Sequence, residues 1–182
     1  MRTEIHPDTA ARSKALLAAA GFAGAVAGAS ALGARSSPGR GRWYRRLRKP
    51  PFQPPSWVFA PVWTALYALI ALSGHRVWRR RDRPGRNRAL ALWAVQLGLN
   101  ATWSPLFFRA RRPGLALADL GLLWLSVVGY TAAAREVDRP AAWAVVPYLG
   151  WTSFAFLLNE EIVRRNPSPR THRSGWRLAR ST

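Results

Sequence analysis

The chain contains no cysteine, only 3 histidines and only 8 acidic residues among its 182. The absence of cysteine excludes disulfide frameworks, thiolate nucleophiles and Cys-ligated metal sites. Two of the histidines, His6 and His172, lie near the ends of the chain, so a metal site built from histidines is not expected. The sequence also lacks catalytic carboxylate pairs, Ser/His/Asp sets and phosphate-binding loops. Hydrolytic and metal-dependent enzymes are therefore the first classes of protein that are not expected.

The abundant residues are compatible with two classes of protein. There are 28 basic residues, for a formal net charge of +20, yet 49% of the chain is hydrophobic and 10 residues are tryptophan. A hydrophobic fraction of this size excludes a disordered basic tail. Either a basic nucleic-acid-binding protein or a membrane protein with basic loops fits this composition.

The distribution of charge along the sequence separates these two classes. Five stretches of about 20 residues each are nearly free of charge, and each is long enough to cross a bilayer as a helix. They are 15–34, 57–74, 89–108, 114–134 and 140–159, and Asp119 is the only charged residue inside them. A soluble nucleic-acid-binding protein would instead place arginines along amphipathic faces. The sequence predicts an all-α integral membrane bundle of five transmembrane helices, and nucleic acid is not an expected partner.

Three segments follow from these boundaries. They are an N-terminal tail at 1–14, the five-helix domain at 15–166 and a basic C-terminal tail at 167–182. The first span also allows a second interpretation, a signal peptide cleaved after a small-residue site. The acidic residues Glu4 and Asp8 and the length of the apolar run favour a membrane span. Asp119 has two interpretations as well, a structural carboxylate bonded by a neighbouring helix or a functional group in a cavity.

The first connection is the only long one and contains an unusual proline-rich segment. Lys49-Pro50-Pro51-Phe52-Gln53-Pro54-Pro55 cannot be helical and should form a stiff extended segment. One interpretation is a lid over the mouth of a cavity. The other is a surface strap with Trp43 as an interfacial anchor.

Polar and aromatic residues share faces of three predicted helices. Amide side chains in hydrocarbon must be hydrogen-bonded, so these faces should point at other helices. They either associate the helices or form a polar anchor in an aromatic pocket. The faces are Ala60, Trp63 and Tyr67; Gln96, Asn100 and Trp103; and Trp143, Pro147, Trp151, Ala155 and either Leu158 or Asn159. Pro61, Pro105 and Pro147 are predicted to kink the helices and widen the space between them.

A pocket of this kind suits a flat apolar ligand with a polar handle. Basic loops at its rim would attract carboxylates. Porphyrins, with a flat macrocycle and two propionates, match this description. The sequence offers no well-placed histidine as an axial iron ligand, so the porphyrin is expected as a ligand and no cofactor is required. A transporter of lipophilic or anionic molecules is the alternative.

Three motifs carry a resemblance to a known family. They are Trp43-Tyr44 to Tyr67, with Lys49-Pro50-x-Phe52-x-Pro54-Pro55 and Pro61-Val62-Trp63; Gln96-Leu97-x-Leu99-Asn100-x-x-Trp103-Ser104; and Pro147-Tyr148-Leu149-x-Trp151 to Leu158-Asn159. In these motifs the sequence resembles the TspO/MBR family of tryptophan-rich sensory proteins and translocator proteins.

The resemblance implies a five-helix, homodimeric membrane receptor or sensor for porphyrins. Positions matching the family pocket are Ala60, Trp63, Asn100, Trp151, Ala155 and Leu158, with Tyr67, Gln96 and Trp103 nearby. Some bacterial members resemble weak enzymes that degrade protoporphyrin in light. This chain would at most have such an activity, carried by Trp63 and Trp151. Since nearly all basic residues are arginine, as GC-rich genomes favour, a bacterial cell membrane is the expected location.

Overall fold

A computed structural model describes residues 7–36 and 41–167, and all regular structure in these two ranges is helical. The predicted C-terminal tail lies outside the described residues beyond position 167, and the predicted N-terminal tail is described only from Pro7. The helices are α1 Pro7–Ser36, α2 Arg42–Arg46, α3 Ser56–Arg79, α4 Arg86–Ser104, α5 Pro113–Val137, α6 Arg139–Ala144 and α7 Val146–Arg165. A π-helical turn, Pro105–Arg109, continues α4.

The helix ends follow from the residues that occupy them. Gly85 has φ +81° immediately before α4, a left-handed conformation that glycine adopts without a steric cost. Pro113 begins α5, where the missing N–H is not needed. Asp138 caps α6 by accepting a hydrogen bond from the backbone N–H of Ala141 at 3.2 Å. Val145 separates α6 from α7, so the fifth predicted span consists of two consecutive helices.

Within residues 7–36 and 41–167, four helical segments are long and apolar enough to cross a membrane. They are Arg12–Ser36, Ser56–Arg79, Pro113–Val137 and Arg139–Arg165. The remaining predicted span, 89–108, corresponds to α4 and the π-helical turn. Helix α4 is less apolar than the other four segments, because it begins with Arg86-Asn87-Arg88 and carries Gln96 and Asn100 in its middle. Large apolar side chains such as Leu17, Leu125 and Leu157 point outward, as expected for helices surrounded by lipid. The protein is an all-α, multi-pass membrane bundle, and a count of five spans is compatible with it.

Helix α1 packs against α3 and α4 through one close approach at Gly74. The Phe22 ring meets Trp93 edge-on, with centroids 4.8 Å apart. The Trp93 indole N–H donates to the Ile70 carbonyl at 2.9 Å. A Cβ on Gly74 would lie 2.6 Å from Trp93 Nε1 and 2.8 Å from Phe22 Cδ1. The glycine is therefore what allows the three helices to meet here.

Gly74→Ala is expected to lower the stability of the bundle. The new methyl group collides with a rigid indole held by its own hydrogen bond, and overpacking of this kind costs about 1–3 kcal/mol. Thermal unfolding in detergent checks the prediction. Gly98→Ala is the matched control, because a Cβ there meets nothing within 4 Å. Equal melting temperatures for the two variants would contradict the close approach.

The C-terminal ends of α3 and α5 are joined by polar side chains. Ser73 donates to the Ala141 carbonyl at 2.7 Å, so the Tyr130 hydroxyl donates to Ser73 at 2.6 Å. Nearby, Asp138 accepts from Arg80 at 2.9 Å and from Arg76 at 3.2 Å. Burial raises the pKa of Asp138, but the hydrogen bonds from Arg80, the Ala141 amide and Arg76 outweigh it and hold this pKa below its ordinary value of 3.8.

Stability should therefore depend on pH through Asp138. A carboxyl whose pKa is lower in the folded state stabilises the fold above the unfolded value and loses that contribution as pH falls through the folded value. Both arginines are at least a third exposed, so we expect a contribution of roughly 1 kcal/mol. Asp138→Asn keeps a capping group but not the charge. Its melting temperature should lie below that of the wild type at pH 7 and converge with it below about pH 4; a constant difference at all pH values would contradict this.

Candidate functional site

A cavity of about 600 Å³ occupies one half of the bundle. It lies between the C-terminal part of α1, the N-terminal half of α3, the end of α4 with its π-helical turn, and the C-terminal half of α7. Its wall is mostly apolar and aromatic. The lining includes Ser30, Gly33, Tyr44, Gln53, Phe59, Ala60, Trp63, Thr64, Tyr67, Asn100, Trp103, Phe107, Phe108, Leu123, Trp151, Phe154, Ala155, Leu158 and Asn159. This volume is within the range of about 300–1,000 Å³ of small-molecule sites.

Two tryptophans from facing helices form the aromatic wall. Trp63 of α3 and Trp151 of α7 meet at 86° with centroids 6.4 Å apart. Trp63 also lies against Tyr67 at 5.1 Å, and Phe59 packs edge-on against Trp151 at 5.8 Å. Because each ring is held by another ring, the wall is preorganised and presents stacking area at little entropic cost.

A chain of hydrogen bonds crosses three helices at the inner end of the cavity. The Tyr67 hydroxyl of α3 donates to Asn100 Oδ1 of α4 at 2.9 Å. Asn100 Nδ2 donates in turn to the Tyr148 hydroxyl of α7 at 3.0 Å. Asn100 is 7% exposed and still has one unused proton and one unused lone pair. The residue thus joins helices and also offers hydrogen-bonding capacity on the cavity wall.

Three further polar atoms of residues that line the cavity are buried and have no hydrogen-bond partner in the described part of the chain. They are Trp103 Nε1, a donor, and the side-chain oxygens of Asn159 and Gln53, both acceptors. Trp103 is fixed by stacking on Phe107, with centroids 5.1 Å apart. Buried polar atoms without partners are costly, so atoms of this kind mark places where a ligand or water can bond. Residues of the cavity wall therefore carry one donor and two acceptors whose hydrogen-bonding capacity is unused.

The proline-rich segment contributes to the cavity and is tied to the last helix. Gln53 Nε2 donates to the Tyr44 hydroxyl at 3.2 Å, and both residues line the cavity. Burial raises the pKa of Tyr44, so its phenol stays protonated and can donate. The backbone N–H and carbonyl of Arg48 bond to the side-chain amide of Asn166, both at 2.9 Å. This arrangement favours the lid interpretation of the segment, in a tethered form.

Eight of the nine residues predicted as ligand-binding lie on the cavity wall. They are Ala60, Trp63, Tyr67, Asn100, Trp103, Trp151, Ala155 and Leu158. Gln96 does not line it; it is 1% exposed one turn before Asn100, and neither of its side-chain polar atoms has a partner among the described residues. Asp119 lies off the cavity wall and accepts from Thr102 of α4 at 2.7 Å, which matches the structural interpretation.

Several lining residues were missed by the sequence interpretation. Tyr44 and Gln53 come from the long loop, where helical spacing gives no signal, and Phe107 and Phe108 lie on the π-helical turn. Ser30 and Gly33 lie on α1, whose residues are almost all small and apolar and so define no polar face. Within the described residues there is no cluster of His, Asp or Glu suited to hold a metal ion.

Fold and cavity together define a class, multi-pass helical membrane proteins with a tryptophan-walled cavity. The TspO/MBR family matches residues 16–165. Translocator protein from Bos taurus is 39% identical over 151 residues, covering 81% of this chain and 88% of that protein. Tryptophan-rich sensory protein from Cereibacter sphaeroides is 41% identical over 124 residues, covering 68% and 77%. Tryptophan-rich protein TspO from Chlorobaculum tepidum is 39% identical over 129 residues, covering 69% and 80%. The chain belongs to the TspO/MBR family.

Proposed function

We propose that this protein is a membrane receptor or sensor that binds a porphyrin, or a closely related flat apolar molecule, in the cavity. The observation that carries the proposal is the cavity wall itself. Trp63 and Trp151 hold a fixed 86° corner, and a macrocycle stacked on one indole meets the edge of the other. A flexible aliphatic ligand would gain less from such a rigid wall.

The polar atoms fit the hydrogen-bonding groups of a porphyrin. The unpartnered Trp103 Nε1 and the Tyr44 hydroxyl can donate to a carboxylate, and Asn159 Oδ1 can accept from a pyrrole N–H. The end of the bundle around the cavity is basic, since Arg35, Arg48, Lys49 and Arg109 lie there. These charges would attract the propionates and raise the association rate.

Titration of protoporphyrin IX into the detergent-purified protein tests the proposal. Because Trp63, Trp103 and Trp151 line the cavity, a porphyrin bound there should quench tryptophan fluorescence saturably. Non-saturable quenching that grows with detergent-phase porphyrin concentration would show partitioning only, and would contradict a binding site.

A transporter of lipophilic or anionic molecules is the second candidate, favoured by the exposed Ala60 and Thr64 on the cavity wall. Porphyrin flux into sealed proteoliposomes separates the two functions, because a receptor gives binding without net flux.

Light-dependent degradation of bound porphyrin by way of Trp63 and Trp151 stays a prediction. Its test is the loss of porphyrin absorbance under illumination in air. The proposed function also includes assembly as a homodimer and location in a bacterial cell membrane.

A further inference from the structure

A second concavity, separate from the ligand cavity, lies on the outer side of α2. It has a volume of about 450 Å³ and is lined by Gly41, Arg42, Trp43, Tyr44, Arg46, Phe108 and Arg111. Only Tyr44 and Phe108 also face the ligand cavity, so these two rings form a partition between the sites. We propose that this concavity binds the phosphate of an anionic phospholipid headgroup. The proposal does not rest on the function proposed for the ligand cavity.

The charge of the concavity is uncompensated. Arg42, Arg46 and Arg111 form no ion pair with any residue that the structure describes. The ion pairs of the described residues involve other arginines; Glu161 at the end of α7, for example, pairs with Arg164 and Arg165. Arginines that line one concavity suit phosphate oxygens, because the planar guanidinium donors bond in pairs.

Aromatic contacts hold the arginine-bearing helix in place. Trp43 packs edge-on against Phe107 with centroids 5.8 Å apart, and Tyr44 packs against Phe108 at 5.4 Å. These contacts fix α2 against the π-helical turn, and Arg42, Arg46 and Arg111 line the concavity between them. Tryptophan and tyrosine at the ends of transmembrane helices favour the headgroup level of the bilayer. This position favours a lipid as the source of the phosphate.

Arg111 occupies a position where glycine would be expected. It has φ +54°, the left-handed conformation that side chains with a Cβ rarely adopt. Across it, the Arg112 N–H donates to the Leu106 carbonyl at 3.1 Å and closes the turn that ends the helix. Helices commonly end with glycine at such a position. An arginine at this position lowers the stability of the fold, and ligand binding by the arginine side chain would offset that loss.

The test measures binding of dioctanoyl phosphatidylglycerol to the full-length protein in an uncharged detergent, by titration and by native mass spectrometry. Dioctanoyl phosphatidylcholine, with the same tails and phosphate but no net charge, and glycerol 3-phosphate, with no tails, are the comparison ligands. We expect saturable binding of phosphatidylglycerol, weaker binding of phosphatidylcholine, and little binding of glycerol 3-phosphate. Equal binding of glycerol 3-phosphate would support the phosphate site and overturn the lipid as its occupant.

Two variants that each remove three charges distinguish lipid binding in the concavity from a general attraction of anionic lipid to the basic end of the bundle. The Arg42→Gln/Arg46→Gln/Arg111→Gln variant should bind phosphatidylglycerol roughly tenfold more weakly or worse. The control, Arg45→Gln/Arg48→Gln/Arg109→Gln, removes three charges from the same end but none from the concavity, and should stay close to the wild type. Equal losses in both variants would overturn the proposal. Weaker porphyrin binding with unchanged phosphatidylglycerol binding in the first variant would also overturn it.

Arg111→Gly provides an independent test, because it should lower the affinity for phosphatidylglycerol without lowering the melting temperature. Glycine relieves the left-handed backbone, so the melting temperature should stay equal or rise. Phosphatidylglycerol should nevertheless bind several-fold more weakly, because one guanidinium group is lost. A variant that gains stability and retains full phosphatidylglycerol affinity would overturn the role of Arg111 in the site.

Discussion

Replacing Ala155 by tryptophan is expected to abolish porphyrin binding while leaving the fold intact. Ala155 lies on the cavity wall of α7, four residues after Trp151 and hence on the same helix face. A new indole there projects into the roughly 600 Å³ space and occupies the volume that a macrocycle needs. Steric exclusion of this kind should weaken binding at least 100-fold, a loss of about 2.7 kcal/mol or more.

Leu157→Trp is the matched control for this substitution. Leu157 is on the same helix but is 59% exposed on its outer surface, so the new indole faces lipid. Both variants add one tryptophan to the same background, so their fluorescence titrations can be compared directly. Unchanged affinity in Ala155→Trp, together with normal folding of both variants, would place the porphyrin outside the cavity.

Asn100→Leu is expected to cause the largest loss of stability at the site. The substitution leaves the hydroxyls of Tyr67 and Tyr148 without their amide partner in a buried environment. Buried polar groups without partners cost about 1–3 kcal/mol each in soluble proteins, and interhelical hydrogen bonds in membranes contribute less. We therefore expect a loss of about 2 kcal/mol, measured as a lower melting temperature in detergent.

A triple variant separates the two roles of Asn100. Tyr67→Phe/Asn100→Leu/Tyr148→Phe removes the amide together with both of its hydroxyl partners, so neither tyrosine leaves an unpaired hydroxyl and much of the stability should return. Porphyrin affinity should not return, because the amide on the cavity wall is still missing. If stability and affinity recover together, Asn100 acts only in helix association. If neither recovers, the hydrogen bonds are not what the side chain supplies.

The membrane spans could be predicted from the sequence because lipid imposes one requirement along about 20 consecutive residues. Each charge-free stretch therefore corresponds to helix, with a break at Val145 in the fifth. Local departures from regular helix could not be predicted in the same way. The break at Val145 precedes Pro147 by two residues, so this proline begins a new helix rather than kinking a continuous one. At Pro105 the chain changes to a π-helical turn, which places Phe107 and Phe108 against α2.

The site could be predicted where one helix presents one face. Ala60, Trp63 and Tyr67 on α3, and Asn100 and Trp103 on α4, share faces by helical spacing, and all line the cavity. Gln96 shares that spacing but lies deeper, where the helices pack too closely to leave open space. Helical spacing gives no signal for the lining residues that lie in the loop. The position of Gln53 depends on the hydrogen-bonded tether between Arg48 and Asn166, 118 residues apart in sequence.

Porphyrin affinity of the Trp63→Phe/Trp151→Phe variant, followed by porphyrin absorbance, tests the central claim most directly. The control is Trp57→Phe/Trp143→Phe, which removes the same number of indoles from positions that are 73% and 72% exposed on the outer surface. If the tryptophan-walled cavity holds the ligand, the first variant should bind protoporphyrin IX roughly tenfold or more weakly, because smaller rings lose stacking area on one wall and edge contact on the other. The control should bind as the wild type does. Wild-type affinity in the first variant would contradict the account.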